Sequence, residues 1–150
     1  MDYEVKDYDH YGLTAIEIDG EEWILGTDEE ANKATFSYIK ESLWAFNKTF
    51  LADHTGLPVD VFAALQVDCE NSNDAIYTLI EKCGDMDSLV SDAVSSDGRG
   101  HFLSPYDGHE KEWGDLSEEV QLGILLAMNQ GDLDDQNVYN LFFYRIGRSH

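Results

Sequence analysis

Apolar and polar residues alternate along an early stretch of the chain, on both sides of an Asp-Gly pair. In LTAIEIDGEEWIL, residues 13–25, the alternation has the period of a half-buried strand, and Asp19-Gly20 is a dipeptide that a type I′ turn prefers. The segment therefore predicts a β-hairpin. Near the other end, NVYNLFFYRIG (residues 137–147) is an almost unbroken apolar and aromatic run. It predicts a buried central strand, with the hairpin as its candidate partner.

Between these strands the apolar residues recur at helical spacing. Residues 26–51 predict one long amphipathic helix that starts with a capping box of Thr27 and Glu30. Shorter helices are predicted over residues 57–66, 72–83, 85–94 and 115–131, with Ser117 as the N-cap of the last and Cys83 on a buried face. The pattern predicts an α+β fold in which a small antiparallel sheet packs with one long and several short helices. We expect a single compact domain over residues 1–150.

The stretch SSDGRGHFLSPYDGHEKEW, residues 95–113, has three interpretations. The first assigns the stretch a purely structural role. In it, residues 101–113 form a tight hairpin that adds to the sheet, with a β-turn at residues 105–108, and Arg99 bonds to an acid or a helix end. A catalytic pair would use His101 as a base oriented by Asp97 or Asp107, but no nucleophile signature accompanies it. A metal site would draw on ligand types whose spacing matches no metal motif, namely Asp97, His101, Asp107, His109 and Glu110.

The most unusual feature of the composition is the net charge. The chain has 31 Asp and Glu residues against nine Lys and Arg residues, a net charge of −22. Residues 7–32 and 112–144 contain nine and seven acids and no Lys or Arg, and residues 49–98 contain ten acids and one Lys. Few local partners remain for ion pairs, so we expect these carboxylates to be unpaired. Because compact folding with this charge incurs self-repulsion, the charge indicates a function.

Other classes of function lack their sequence signatures. No apolar run reaches the roughly 18 residues of a membrane helix, and the N-terminus does not resemble a signal peptide, so we expect a cytoplasmic protein with no membrane partner. No P-loop, dinucleotide or zinc motif and no basic footprint is present. We therefore predict no cofactor, no metal, no enzymatic activity and no direct binding of nucleic acid.

In charge, size and lack of catalytic motifs, the chain resembles DNA-mimic inhibitors, the anti-restriction and anti-CRISPR proteins of phages and mobile elements. The pattern DGRGHFLSPYDG with the later FFYRI also resembles small acidic phage proteins of generally unassigned function. The resemblance implies an inhibitor that occupies the basic DNA- or RNA-binding groove of a host defence nuclease, such as a CRISPR effector or a restriction enzyme. Trp23 or Trp113 would add apolar anchors to the contact. Three sets of acids are the predicted partner-binding residues: first Asp19, Glu21, Glu22, Asp28, Glu29 and Glu30; second Asp85, Asp87 and Asp92; third Glu118, Glu119, Asp132, Asp134 and Asp135.

Other functions stay open at this point. A non-enzymatic interaction or adaptor protein would bind through the apolar helix residues Leu122, Ile124, Leu125 and Leu126, and its charge would provide solubility. A metal-dependent enzyme would use residues 97–110, and an adaptation to a salt-rich host would need no site. The sequence leaves the oligomeric state open, with a dimer as one option.

Overall fold

A computed structural model describes residues 2–148, with the backbone alone at residues 8, 9 and 148. The chain divides into two compact units. Unit 1 comprises Met1–Thr35 and Asp97–His150, and unit 2 comprises Phe36–Ser96. A four-stranded antiparallel sheet and several helices confirm the predicted α+β class. The expectation of a single domain stays a prediction.

The sheet of unit 1 has the order β1-β2-β3-β4 and is antiparallel throughout. Its strands are β1 (Tyr3–His10), β2 (Leu13–Ile18), β3 (Glu21–Thr27) and β4 (Leu141–Arg148). The predicted hairpin is confirmed as β2 and β3, and Asp19 and Gly20 have the positive φ angles of a type I′ turn, 49° and 83°. β4 pairs with β3 as expected. It lies at an edge of the sheet, however, so the prediction of a central strand is wrong.

Apolar side chains from both faces of the sheet form the core of unit 1. One face packs Ile16, Ile18 and Phe143 against α7 (Glu118–Asn129). The other face packs Leu13, Ile24 and Tyr144 against the first half of α1 (Asp28–Glu41) and against α6 (Arg99–Leu103). Because side chains on both faces of the sheet are buried, the sequence of β4 is an almost unbroken apolar run.

Unit 2 is helical. It contains the end of α1, then α2 (Lys48–Thr55), α3 (Val59–Gln66), α4 (Asn73–Cys83) and most of α5 (Met86–Asp97). Phe62, Ile76, Ile80 and Leu89 are buried. Within residues 2–148, no helix has the length and apolar character that crossing a bilayer requires.

Two predictions for this unit are wrong in part. The long helix predicted over residues 26–51 ends at Glu41, a short 3-10 turn (Leu43–Ala45) follows, and α2 starts anew because the Asn47 side chain caps the N–H groups of Thr49 and Phe50. Cys83 is exposed rather than buried. It is the last residue of α4, one turn beyond the buried Ile80, and Gly84 ends the helix there.

The hairpin predicted at residues 101–113 is also wrong. Residues Arg99–Leu103 form α6, and the following turn closes with the Gly108 N–H donating to the Ser104 carbonyl, 2.9 Å away. Gly100 lets α6 lie against the backbone of residues 108–110, since a Cβ there would meet the Glu110 nitrogen at 2.4 Å. Only Lys111 forms a bridge, and it pairs with Phe143 of β4. This long-range packing has no periodic signature in the sequence.

Candidate acidic interaction surface

Carboxylates gather at the end of the sheet that carries the β2–β3 turn. The backbone N–H of Asp2 donates to a carboxylate oxygen of Asp19 at 3.2 Å, and the N–H of Asp19 donates to the carbonyl of Asp2 at 3.0 Å. These two bonds hold the start of β1 against the turn. The acidic residues before β1 and in the turn are therefore fixed side by side.

A row of three glutamates crosses the strands next to this turn. Glu4 of β1 stands opposite Glu17 of β2, and Glu17 stands opposite Glu22 of β3. Directly opposed like charges destabilise a sheet. Lys6 offsets part of this cost, because its ammonium group lies 3.1 Å from a carboxylate oxygen of both Glu4 and Glu17. The hydrogen bonds to Glu17 and Glu4 raise the pKa of Lys6, so it remains charged beside them.

The loop after α7 brings a further acid to the same end. The Tyr3 hydroxyl lies 2.7 Å from a carboxylate oxygen of Asp132 and 2.6 Å from the side-chain carbonyl of Gln130. The hydrogen bond to Asp132 raises the pKa of Tyr3, which keeps the hydroxyl protonated as the donor. An open groove of about 670 Å³ runs along this contact, between the first strand and the loop.

We call this end of the sheet the turn-end surface. Its described side chains include seven carboxylates and two cations, Lys6 and Arg145, the latter 3.4 Å from Glu21, and the backbone of Arg148 pairs with Glu21 at the same end of the sheet. Asp2, Glu4, Asp19 and Asp132 are exposed. The acids of the surface are Asp2, Glu4, Glu17, Asp19, Glu21, Glu22 and Asp132.

The first predicted set of acids does not stay together. Asp19, Glu21 and Glu22 lie on the turn-end surface, whereas the other three occupy the first turn of α1, beyond the far end of β3. Seven residues of strand separate the two groups by about 20 Å. Glu30 serves the predicted capping box, which is confirmed by its bond to the Thr27 N–H at 2.9 Å. The acids at the start of α1 are Asp28, Glu29 and Glu30.

The third set is divided as well. Glu118 and Glu119 lie in the first turn of α7, and the helix separates them by about 18 Å from the loop that follows its end. Only Asp132 of that loop reaches the turn-end surface through a described contact, and Asp134 and Asp135 are exposed farther along the loop. The predicted N-cap is confirmed, since the Ser117 hydroxyl accepts from the Val120 N–H.

The second set belongs to unit 2. Asp85, Asp87 and Asp92 are exposed at or near α5, as predicted. Asp92 lies 3.1 Å from the imidazole of His54. The carboxylate of Asp85 accepts from the Asp87 N–H and so caps the start of the helix.

The expectation that the predicted acids are unpaired is wrong for several of them. Arg99 pairs with Asp28 at 2.8 Å, Arg145 with Glu21, and Lys33 with Glu29 at 3.3 Å. The cations of the first two pairs come from distant parts of the chain, so local sequence does not reveal them. All described Lys and Arg side chains of unit 1 are used in such pairs, and an acidic excess is left over.

Sequence reasoning missed three residues of the turn-end surface. Asp2 and Glu4 were not among the predicted sets because β1 was not predicted as a strand, and Glu17 was left out although it lies in the predicted hairpin. A signal existed: Tyr3 and Val5 alternate with Glu4 and Lys6, and the two apolar side chains pack against the core.

The predicted aromatic anchors are not at the surface. Trp23 and Trp113 are 4% and 8% exposed and belong to the core between the sheet and α7. The prediction that they contact a partner is therefore wrong. The Trp113 ring packs at a tilted angle against the Phe143 ring, with the ring centres 6.0 Å apart.

Arg99 organises the stretch at residues 95–113. Its guanidinium bonds Glu110 at 2.7 Å and reaches Asn32 at 3.0 Å as well as Asp28, and it lies over the Phe142 ring. The expectation that Arg99 bonds an acid or a helix end is confirmed. Glu110 also accepts from the Tyr144 hydroxyl. Burial and that hydrogen bond raise the pKa of Tyr144 well above its usual value.

The other ligand types of this stretch have structural partners or stand apart. Burial acts to raise the pKa of Asp107, but hydrogen bonds from Lys111, the His109 N–H and Ser104 outweigh it and hold the pKa at about 2. His101 is exposed, and no described hydrogen bond joins it to Asp97 or Asp107. Among the residues that the structure describes, no group of three or more His, Cys, Asp and Glu could hold a metal ion.

Comparison of the chain with protein families, with curated proteins and with solved structures finds no match.

Proposed function

We propose that this chain is a non-enzymatic inhibitor that mimics nucleic acid and occupies the basic DNA- or RNA-binding groove of a host defence nuclease. A CRISPR effector or a restriction enzyme is the expected target, which places the protein in the cytoplasm. The observation that carries the proposal is the turn-end surface, whose described side chains include seven carboxylates and two cations. A protein that used acids for stability alone would not set three of them directly opposite one another.

Charge density supports this choice of partner. A duplex carries one phosphate per roughly 1.7 Å of axis, or on the order of one charge per 110 Å² for a cylinder about 20 Å wide. The 31 acids spread over 8320 Å² would give about one per 270 Å². The average surface is thus too dilute to imitate a duplex, so a mimic must concentrate its acids.

The turn-end surface provides such a concentration. Neighbouring strands lie about 4.8 Å apart, so the row of Glu4, Glu17 and Glu22 has one carboxylate per strand, and Lys6 offsets one of the three negative charges. One strand of a duplex carries one phosphate per 3.4 Å of axis, which is a similar linear spacing. Asp2 and Asp19 lie at the turn next to the row, and Asp132 is joined to Tyr3, whose side chain points to the opposite face of the sheet from Glu4. Unit 1 as a whole holds 21 of the 31 acids and six of the nine basic residues, a net charge of −15.

Binding would proceed by electrostatic attraction. A concentrated negative surface accelerates the encounter with a basic groove, and the rate falls as salt screens the charges. Lys and Arg side chains that normally contact phosphates would instead pair with the carboxylates. Nucleic acid and the inhibitor would then exclude each other from the groove.

The test uses capture from a bacterial lysate at low salt, elution with a salt gradient and identification by mass spectrometry. Three versions of the protein are immobilised: the wild type, a turn-end variant and a control variant with the same net charge. The turn-end variant is Asp2→Asn, Glu4→Gln, Asp19→Asn and Asp132→Asn. Because Asn and Gln keep the shape of Asp and Glu and one acceptor oxygen, the hydrogen bonds that positions 19 and 132 accept can still form. The control variant neutralises four exposed acids of unit 2, Asp53→Asn, Asp60→Asn, Asp68→Asn and Asp74→Asn.

The proposal expects the wild type and the control variant to retain a nucleic-acid-guided or DNA-cleaving nuclease that elutes as salt rises. The turn-end variant should retain it at least about fourfold less tightly, since four exposed ion pairs are lost at about 0.2–1 kcal/mol each. Equal retention by both variants would assign the effect to net charge alone and contradict a defined surface. If the wild type retains only partners that stay bound at high salt, the proposed mimicry of nucleic acid is contradicted.

A further inference from the structure

The outward face of α7 leaves large apolar side chains in contact with solvent. Leu122 and Leu125 are 48% and 46% exposed, although the opposite face of the same helix places Val120 and Ile124 in the core. This corrects the predicted binding face, because Ile124 is wholly buried. If α7 made contacts only through the face that packs on the core, polar residues would be expected at positions 122 and 125.

A groove continues this apolar face. The segment at residues 135–138 lies beside the C-terminal half of α7, and Leu125, Met128 and Val138 form apolar walls around a volume of about 380 Å³. The Asn137 side chain accepts from the Tyr139 N–H and so fixes the outer wall as a 3-10 turn. Tyr139, 74% exposed, follows directly.

Acids lie at both ends of the exposed face. Glu118 lies one helical turn before Leu122, and Glu119 follows Glu118 in the chain. Asp135 is part of the groove, and Asp134 stands next to it in the chain. An apolar strip between two acidic ends is complementary to a segment that has an apolar stripe and cationic side chains on either side.

We propose that this groove binds an amphipathic basic segment of a partner protein. Apolar side chains of the segment enter the groove between Leu125 and Val138 and cover Leu122, and its Lys and Arg side chains pair with Asp134 and Asp135 at one end and with Glu118 at the other. The groove is a second docking surface, separate from the turn-end surface, and it does not depend on the proposed inhibition of a nuclease.

A second copy of this chain fits the same face poorly. Each copy carries a net charge of −22. Because both ends of the exposed strip are acidic, either parallel or antiparallel pairing of two α7 helices would bring like charges together. Charge complementarity therefore selects a basic partner over self-association.

The test uses two synthetic peptides as probes, and their binding is followed by fluorescence anisotropy. One is a helical Leu/Lys amphipathic peptide, and the other has the same charge with each Leu replaced by Ala. Any cationic peptide will be attracted to so acidic a protein, so the informative quantity is the preference for the Leu peptide. The variants are Leu122→Ser with Leu125→Ser, and the matched control Val67→Ser, which removes an exposed apolar side chain of unit 2.

We expect the wild type to bind the Leu peptide at least about tenfold more tightly than the Ala peptide, since the groove buries its apolar side chains. The double Leu variant should lose that preference, and the Val67 variant should keep it. The turn-end variant should also keep it, which separates this proposal from the proposed function. An absent preference in the wild type, or a preference that survives in the double Leu variant, would overturn the inference. A dimer in sedimentation that the double Leu variant dissociates would assign the face to a second copy instead.

Discussion

Arg99 allows the clearest test of what holds unit 1 together. Its side chain is 10% exposed, and it joins the start of α1 to the segment after α6 through Asp28 at 2.8 Å and Glu110 at 2.7 Å. Substitution of Arg99 by Ala removes both ion pairs and the contact with the Phe142 ring. It also leaves Glu110 beside the buried Tyr144 without its cation.

The expected loss of the free energy of unfolding depends on how exposed each partner of Arg99 is. The Asp28 side chain is 69% exposed, so its pair contributes about 0.2–1 kcal/mol. The Glu110 side chain is 31% exposed, so its charge-assisted bond to the nearly buried guanidinium contributes about 1.5–3 kcal/mol. We therefore expect Arg99→Ala to lower the free energy of unfolding by about 2–4 kcal/mol.

The measurement is urea unfolding followed by tryptophan fluorescence and circular dichroism. Lys33→Ala is the matched control, because Lys33 also pairs with an acid of α1, Glu29, but both side chains are about three-quarters exposed. It should cost less than about 0.5 kcal/mol. Addition of Glu110→Gln to Arg99→Ala should recover part of the loss, since the carboxylate without its cation is removed. An Arg99→Ala variant no less stable than Lys33→Ala would refute the reasoning.

Three further substitutions test other parts of the structure by the same unfolding measurement. Gly100→Ala should lower the free energy of unfolding by more than about 2 kcal/mol, because the new Cβ would meet backbone atoms at 2.4–2.7 Å. The control Gly114→Ala, whose Cβ would have nothing within 4 Å, should stay within about 0.5 kcal/mol of the wild type. Equal effects of the two substitutions would contradict the packing of α6. Asp107→Asn should cost about 1 kcal/mol above pH 4 by the loss of the bond to Lys111. Because the folded pKa of Asp107 is lowered from 3.8 to about 2, that difference should vanish as the pH falls from about 4 through 2, and a difference independent of pH would contradict the assignment. Thr27→Ala should cost about 1 kcal/mol through the lost cap, and no change would show that the capping box contributes nothing.

Local chemistry made part of this fold predictable from sequence. The Asp19-Gly20 turn requires positive φ at both residues, and few other dipeptides tolerate it. The capping box of Thr27 and Glu30 and the cap at Ser117 likewise act within a few residues. Each of these predictions was confirmed, because the stabilising partner lies next to the signal in the chain.

Elements that depend on distant partners were not predictable in the same way. α6 and the turn after it are set by Gly100 against residues 108–110 and by Arg99 against Asp28, more than 60 residues away in the chain. The candidate site follows the same rule: the sequence indicated Asp19, but not that Asp132 would reach the same end of the sheet through Tyr3. Charge along the chain shows how many acids exist, and packing decides which of them meet.

The most direct test of the proposed function is competition with nucleic acid on a nuclease captured by the wild-type protein. Displacement of a fluorescent duplex from that nuclease is measured for the wild type, the turn-end variant and the control variant between about 50 mM and 200 mM salt. We predict that the wild type and the control variant displace the duplex, with an affinity that falls steeply as salt rises, and that the turn-end variant needs at least about fourfold more protein. Simultaneous binding of the duplex and the wild-type protein, or equal displacement by the two variants, would contradict the proposal that the turn-end surface takes the place of nucleic acid.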